Sequence, residues 1–181
     1  MAEVNEALPV KYFVAVLFSE EQVLVQALEQ LQARWGSFDI AGSDHEFDVT
    51  DYYYPEMGGP LYRRLVSFAE LLDPMQLVDM KLECNRVEDA LSVEGKRRVN
   101  LDAGYLDHNK VLLASAKEAG QKIYLGKGIY ADLAGRYKSG KYQPFEWSFP
   151  DFRDGRYDAE LLRMRSKYLE QVKVYRKSCV K

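Results

Sequence analysis

Cysteine and histidine are scarce in this sequence, with two residues of each among 181. Cys84 and Cys179 form no CxxC pair, and no HExxH motif is present, so zinc sites of these types and a disulfide framework are excluded. We interpret both cysteines as reduced thiols of a cytoplasmic protein. His45 and His108 lack the His-x-Ser/Thr spacing that a two-histidine phosphoesterase needs, which excludes that enzyme class.

Long apolar runs are also missing. The longest, Tyr12–Phe18, is too short to cross a bilayer, and the first thirteen residues, MAEVNEALPVKYF, contain acids and no apolar signal-peptide core. The GxxxxGK[ST], GxGxxG and GxSxG motifs are absent, which excludes a P-loop hydrolase, a dinucleotide-binding domain and an α/β-hydrolase. A net charge of −3 provides no global positive field for nucleic acid. These absences predict a cytoplasmic protein that does not enter membranes.

What is present is the composition of a globular protein, 47% hydrophobic and 29% charged. No internal repeat or Gly/Ser linker interrupts it, so we predict a single domain over residues 1–181 with a loose leader at 1–9. The uninterrupted run Tyr12–Phe18 predicts a strand covered on both faces. A helix follows to about Trp35, with Ser19 and Gln22 as a capping box and Gly36 as its stop.

The remaining chain is dominated by strand patterns. Strands are predicted at 38–40, 46–49, 61–72, 78–84, 97–101, 110–116 and 123–142. A helix is the alternative for 61–72 and for 78–84, and a short helix is the alternative for 110–116. Asp73-Pro74 predicts a capped helical turn, Ala103-Gly104 a bend, and Ser139-Gly140 a hairpin turn. Residues 157–176 predict an amphipathic closing helix.

This order of elements predicts an α+β fold. It consists of an N-terminal strand–helix unit, a mostly antiparallel sheet and a C-terminal amphipathic helix. The opening strand, helix and following strands are compatible with a ferredoxin-like start.

The most unusual segment is His45–Gly59, HEFDVTDYYYPEMGG, which is rich in acids and tyrosines. Asp48 and Asp51 are candidate oxygen ligands for Mg²⁺ or Ca²⁺, and together with Glu56 they are the catalytic candidates. The alternative is that Thr50 and Asp51 make turn hydrogen bonds. The three tyrosines at 52–54 are candidates for stacking on a base or sugar, or for packing into the core.

Two cationic segments are candidates for holding an anion. Either Arg97 or Arg98 could clamp a phosphate or carboxylate, and strand alternation lets only one of them face inward; the alternative is pairing with the acids of 45–56. In YLGKGIY, residues 124–130, two glycines flank Lys127 and permit close backbone approach to a phosphate, or else mark a strand bulge. The predicted ligand-binding residues are Arg97, Arg98, Asn100, Asp102, Tyr105, Gly126, Lys127, Gly128 and Tyr130.

Six groups of residues, in order from about residue 10 to 170, give the chain a resemblance to the bacterial and archaeal family of unknown function DUF4416. They are FDVTDYY with EMG at 47–58, SF with LDP at 67–74, KL with Asn85, GKRRVNLD with GYL at 95–106, YLGKGIYA at 124–131, and Trp147 with PD at 150–151. The resemblance implies kinship and no particular activity. Members of the family are sometimes labelled GTP-binding, whereas this chain has no P-loop.

Two functions remain as hypotheses. The first is binding or processing of a phosphate-containing ligand, a nucleotide or RNA end, assisted by Mg²⁺ at Asp48 and Asp51. The alternative is a non-catalytic interaction or scaffold module whose acidic and basic segments pair with each other; self-association is left open. The first hypothesis expects Asp48, Asp51, Arg98, Asp102 and Lys127 to share one cleft.

Overall fold

The computed structural model describes residues 3–178, in which a nine-stranded sheet carries helices on both faces. The strands are β1 (Val10–Phe18), β2 (Phe38–Ala41), β3 (His45–Glu46), β4 (Tyr62–Leu72), β5 (Val99–Leu106), β6 (Lys110–Ser115), β7 (Ile123–Gly126), β8 (Ile129–Lys138) and β9 (Lys141–Pro144). The helices are α1 (Glu21–Trp35), α2 (Tyr54–Met57), α3 (Leu77–Ala90), α4 (Pro150–Arg153) and α5 (Asp158–Ser178). A single 3₁₀ turn at Pro74–Gln76 leads into α3.

All strand pairs are antiparallel, in the order β2-β4-β1-β5-β6-β8-β7, with β3 also on β4 and β9 also on β8. The predicted α+β class, antiparallel sheet, opening strand–helix unit and closing helix are therefore confirmed. Within this sheet, β5-β1-β4-β2 with crossovers α1 and α3 has the βαββαβ order of a ferredoxin-like unit. Strands β6 to β9 extend that unit on the β5 side.

Strand β1 lies at the centre because it can be buried on both faces. All nine of its residues are buried. Tyr12, Val14 and Val16 pack in the cluster that contains α1 and α3, whereas Phe13 and Ala15 pack in the cluster that contains α5. The uninterrupted apolar pattern thus indicates a strand that lies between two layers of helices.

The prediction of a strand at Val78–Cys84 is wrong, since these residues lie within α3. The buried positions of this helix recur every three to four residues, at 77–78, 80–81, 84 and 87–88. They include two charged residues, Lys81 and Glu88. In the sequence, Lys81 looked like the exposed member of an alternating strand. Lys81 is buried because it contacts strand β5, as described below. The alternative prediction of a helix is therefore the correct one.

Two local predictions also need correction. Ser19 does not cap α1: its hydroxyl donates to the Met57 carbonyl over 2.8 Å, and the helix begins at Glu21 without a side-chain cap. The chain does not bend at Ala103-Gly104, because β5 continues to Leu106. Gly104 instead allows the close approach of β6, since a Cβ there would lie 2.4 Å from the Leu112 carbonyl oxygen.

Other predictions of turns and helix ends are confirmed. Gly36 ends α1, and the Asp73 carboxylate accepts a hydrogen bond from the Met75 N–H over 2.7 Å at the start of the 3₁₀ turn. Ser139 and Gly140, with φ of 53° and 86°, form the hairpin turn between β8 and β9.

Cys84 is a buried free thiol, and burial raises its pKa to about 12. Cys179 lies outside the described residues. None of the helices within residues 3–178 combines the length and apolar character needed to cross a membrane.

Candidate functional site

A cleft opens where β5 and β6 diverge. Along its whole length β5 pairs with β1, but it pairs with β6 only through Gly104–Leu106 and Val111–Leu113. Beyond that short ladder the two strands separate, and a cleft of about 640 Å³ lies between them. This volume is within the range of small-molecule sites, roughly 300–1,000 Å³.

Four parts of the chain line this cleft. Helix α3 contributes Lys81, Asn85 and Glu88; the start of β5 and the turn before it contribute Arg97, Asn100 and Asp102. The β6 side contributes 113–119 with Lys122 and Asp132, and two loops contribute Phe47, Val49, Thr50, Tyr52, Tyr53, Phe149 and Pro150. The cleft therefore combines aromatic and polar side chains, and Arg63 of β4 also lines it.

Lys81 and Glu88 take the place of a strand partner for Leu101. The Lys81 ammonium donates to the Leu101 carbonyl over 2.7 Å, and the Glu88 Oε1 accepts from the Leu101 N–H over 2.6 Å. Both backbone groups would otherwise be left without a β6 partner at the divergence. These bonds explain why two charged residues of α3 can be only 6% and 7% exposed.

The Glu88 carboxyl is held in an environment that disfavours its charge. Burial raises its pKa to about 7, although the Lys81 ammonium, 3.8 Å away, and the Leu101 N–H both favour the ionised form. Desolvation outweighs these two contacts because the carboxyl is almost entirely removed from water. Glu88 is therefore the carboxyl of the cleft that titrates near neutral pH.

Glu88→Gln is expected to gain stability relative to the wild type as pH rises. The folded protein holds the Glu88 proton up to about pH 7, above the ordinary pKa of 4.5, so wild-type stability falls through this window. Glutamine keeps an oxygen for the Leu101 N–H and does not titrate. The difference should grow by about 3 kcal/mol between acid and neutral pH, measured by urea denaturation at several pH values. A difference that does not change with pH would contradict a perturbed Glu88.

Beneath the cleft, Arg63 forms a buried ionic centre. Its guanidinium donates to Asp151 over 2.6 Å and to Asp102 over 3.3 Å, and the Tyr157 hydroxyl also donates to Asp151 over 2.9 Å. Arg63 stacks on the Phe47 ring, with 4.6 Å from guanidinium carbon to ring centroid. Asp102 is the member of this centre that remains partly accessible, so it connects the buried pair to the cleft.

At the rim, Arg97 is held by Glu56 of α2. Two hydrogen bonds of 2.7 and 3.0 Å join the guanidinium to the carboxylate, and a third of 3.0 Å joins it to the Asn100 amide oxygen. The bonds to Arg97 lower the pKa of Glu56, and those to Glu56 raise the pKa of Arg97. Tyr53 lies 5.5 Å from the guanidinium, and burial raises its pKa to about 12. This pair fixes the acidic segment against the start of β5.

Three of the predicted ligand-binding residues, Arg97, Asn100 and Asp102, line the cleft. Of the other predicted residues, Arg98 is at the surface and bonded to Glu20 over 2.7 Å. Tyr105 packs in the core against Tyr12, and Tyr130 packs against Tyr124. The five residues expected to share one cleft, Asp48, Asp51, Arg98, Asp102 and Lys127, therefore do not share it: only Asp102 lines it.

The Gly126-Lys127-Gly128 segment is the hairpin turn between β7 and β8. Lys127 and Gly128 have φ of 51° and 76°, the left-handed pair that a two-residue hairpin requires. The Lys127 ammonium is exposed and bonded to Asp79 over 2.8 Å. The two glycines thus serve the turn geometry, and the lysine lies outside the residues that line the cleft.

The candidate metal ligands are also apart. Asp48 is bonded to Arg156 over 3.0 Å, while Asp51 is exposed and its backbone carbonyl accepts from the Tyr54 N–H. The Thr50 hydroxyl accepts from the Tyr52 N–H over 3.2 Å, which is the turn contact given above as the alternative. Within residues 3–178, no group of three or more His, Cys, Asp or Glu side chains is arranged to hold a metal ion.

The inference from sequence missed the residues of α3 and of the loop after β6. Lys117 places its ammonium 5.0 Å from the centre of the Tyr52 ring, and Lys122 donates to the Ser115 hydroxyl over 2.8 Å, 3.5 Å from Asp132. Of the residues missed, Lys81 and Asn85 belong to one of the matched groups described above. No local sequence pattern identifies the two loop lysines as site residues, because they line the cleft only as a result of the divergence of β5 and β6.

A search of curated proteins and a search of solved structures each gave no match. The family model described as "Domain of unknown function (DUF4416)" matches residues 8–168. This match spans most of the chain and confirms the resemblance drawn from its sequence motifs, and the chain therefore belongs to the DUF4416 family.

Proposed function

We propose that the cleft between β5 and β6 binds a phosphate-containing ligand, a nucleotide or an RNA end. The observation that carries the proposal is that Lys117, Tyr52 and Tyr53 line one cleft at the divergence of β5 and β6, with the Lys117 ammonium 5.0 Å from the centre of the Tyr52 ring. Ammonium groups bind phosphate as point charges, and tyrosine rings stack on bases or sugars. Lys127, in the hairpin turn between β7 and β8, does not line this cleft.

Lys117 is the cation best placed to receive an anion. The other four cations that line the cleft already have partners: Arg63 bonds to Asp151, Arg97 to Glu56, Lys81 to the Leu101 carbonyl, and Lys122 to the Ser115 hydroxyl beside Asp132. Within the described residues, the Lys117 ammonium has no ion pair and no hydrogen bond, and it lies 5.0 Å from the centre of the Tyr52 ring. An entering phosphate therefore meets a cation that need not give up a carboxylate.

The aromatic wall provides the surface for a ring. Tyr52 is 56% exposed and lies edge-on to Tyr53, with ring centroids 5.0 Å apart. Phe149 is also exposed and lines the same cleft. An exposed ring beside a free ammonium is the combination that single-stranded nucleic acid sites use.

Magnesium fits this proposal as a companion of the ligand. Mg²⁺ is commonly bound by one or two carboxylates together with ligand phosphates, and it retains several waters. Asp102 is partly accessible and Glu118 is exposed, and both line the cleft, whereas Asp48 and Asp51 do not. The proposal assigns binding to these residues and assigns no reaction.

A thermal-shift screen of nucleoside phosphates and short RNAs, with and without Mg²⁺, tests the proposal. A ligand at 100 times its Kd should add about 2.7 kcal/mol, which raises Tm by roughly 5–10 °C in a chain of this size. Lys117→Ala should weaken binding about tenfold, while Lys127→Ala, which removes an exposed lysine outside the cleft, should leave it unchanged. No shift with any compound, or equal shifts for both variants, would sink the proposal.

The second candidate, a non-catalytic interaction or scaffold module, is favoured by the pairing of the charged segments. Glu56 binds Arg97 and Asp48 binds Arg156, while Arg98 binds Glu20. Charges that satisfy each other are less available for a ligand, and exposed pairs of this kind add little stability. If no compound in the thermal-shift screen changes Tm, this second candidate becomes the preferred function.

A further inference from the structure

The α3 wall of the cleft presents an amide and a carboxylate side by side. Asn85 and Glu88 are three positions apart on this helix, so they share one face, and both line the cleft. The Asn85 amide makes no hydrogen bond to any residue in the range 3–178. It offers both a donor and an acceptor to whatever enters.

Of the two carboxyl oxygens of Glu88, one accepts a hydrogen bond from the described residues and the other does not. Its Oε1 is held by the Leu101 N–H over 2.6 Å. Its Oε2 accepts no hydrogen bond from the described residues. This oxygen is not sealed from solvent. Because the residue is 7% exposed and lines the cleft, this oxygen is reached through the cleft.

A nearly buried carboxylate oxygen without a partner is costly, and an O–H or N–H donor on the ligand would satisfy it. Asn85 beside it can accept a second hydroxyl proton or donate to that hydroxyl's oxygen. A planar carboxylate next to a planar amide therefore matches two adjacent hydroxyls. Carboxylates bind ribose hydroxyls in this way in dinucleotide sites, and the 2′-hydroxyl is the group that distinguishes RNA from DNA.

We propose that Glu88 and Asn85 bind the 2′- and 3′-hydroxyls of a ribose, so that the cleft selects ribonucleotides over deoxyribonucleotides. This inference rests on the proposed function, in which Lys117 binds the phosphate. It adds the chemical class of the sugar. Lys117 and Lys122 follow β6, whereas Asn85 and Glu88 belong to α3, and all four residues line the same cleft.

Other charged groups near Glu88 leave this role open to it. Lys81 on the same helix is satisfied by the Leu101 carbonyl, and Asp102 and Arg97 are bonded to Arg63 and Glu56. Above its pKa of about 7, Glu88 is a charged acceptor. Charged acceptors form the stronger hydrogen bonds, so selectivity is best measured at about pH 8.

Isothermal titration calorimetry with four 5′-monophosphates, each as ribose and 2′-deoxyribose forms, tests the inference. The wild type should bind the ribose form at least about tenfold more tightly. Glu88→Gln and Asn85→Ala should each reduce the preference toward twofold or less through weaker ribonucleotide binding. Lys127→Ala should keep the wild-type preference. Asn85→Ala provides the decisive variant if Glu88→Gln does not fold, because Asn85 makes no hydrogen bond within the described structure.

The outcomes separate this inference from the proposed function. Equal binding of the ribose and deoxyribose forms overturns the sugar assignment and leaves phosphate binding intact. Binding of neither form, with any base, overturns both. A 5′-phosphorylated RNA trinucleotide that binds more tightly than the matching mononucleotide identifies an RNA end, and equal affinities identify a free nucleotide; the same preference for ribose is expected in either case.

Discussion

Asp151→Ala is expected to lower the free energy of unfolding by about 3–5 kcal/mol, because it leaves the Arg63 charge buried without its main partner. Asp151 is fully buried and Arg63 is only 2% exposed, and the bond between them is 2.6 Å. The Tyr157 hydroxyl loses its acceptor at the same time. Urea denaturation of the wild type and the variant measures the change.

Asp154→Ala is the matched control for Asp151→Ala. It removes a carboxylate three residues away that is exposed and bonded to Arg156 over 2.6 Å. Exposed pairs contribute about 0–1 kcal/mol, so this variant should be almost as stable as the wild type. Equal losses from the two substitutions would show that the buried centre is not a strong stabilising unit.

Asp39→Ala is expected to produce a loss of similar size, about 3–5 kcal/mol at neutral pH. The Lys11 ammonium on β1 is completely buried and lies 2.5 Å from Asp39, and its other contacts are neutral oxygens, the closer being Gln171 Oε1 of α5 at 3.0 Å. Without Asp39, an uncompensated positive charge would stay between the sheet and α5. Urea denaturation measures this loss as well.

The loss in Asp39→Ala should shrink as pH rises. Burial lowers the pKa of Lys11 in the folded protein, and Asp39 opposes that shift, so removing Asp39 lowers the pKa further. The unfolded chain then binds the proton more tightly than the folded one, and the variant gains stability with rising pH. Asp44→Ala, which breaks the exposed pair with Arg64, should change little at any pH. A loss in Asp39→Ala that stays constant to about pH 10 would contradict this assignment.

Much of the fold could be predicted from the sequence because its signals are local. The apolar run of β1, the Gly36 stop, the Asp73-Pro74 cap and the Ser139-Gly140 turn each depend on a few neighbouring residues. The failure at α3 had a specific cause. Lys81 is buried by a bond to Leu101, which is twenty positions away, and no local pattern contains that contact.

The candidate site could be predicted only in part. Arg97, Asn100 and Asp102 were found because they form a compact polar group on one strand and the turn before it. Glu88, Lys117 and Lys122 were not predicted as site residues. They line one cleft only because β6 separates from β5. That divergence is a property of strand pairing, and the cleft that it opens is lined by residues from separate parts of the chain.

The sequence by itself determined the antiparallel α+β sheet, the central buried strand, the lack of known nucleotide-binding motifs and the family. These depend on periodicity, turn residues and sequence motifs. Only the tertiary structure decided that Gly126-Lys127-Gly128 is a hairpin turn outside the cleft and that the acids of 45–56 are paired or exposed. It alone placed a nearly buried carboxyl, Glu88, in the same cleft as Asn85, Lys117 and Lys122. The physical reason is that pairing and burial are set by contacts between distant residues.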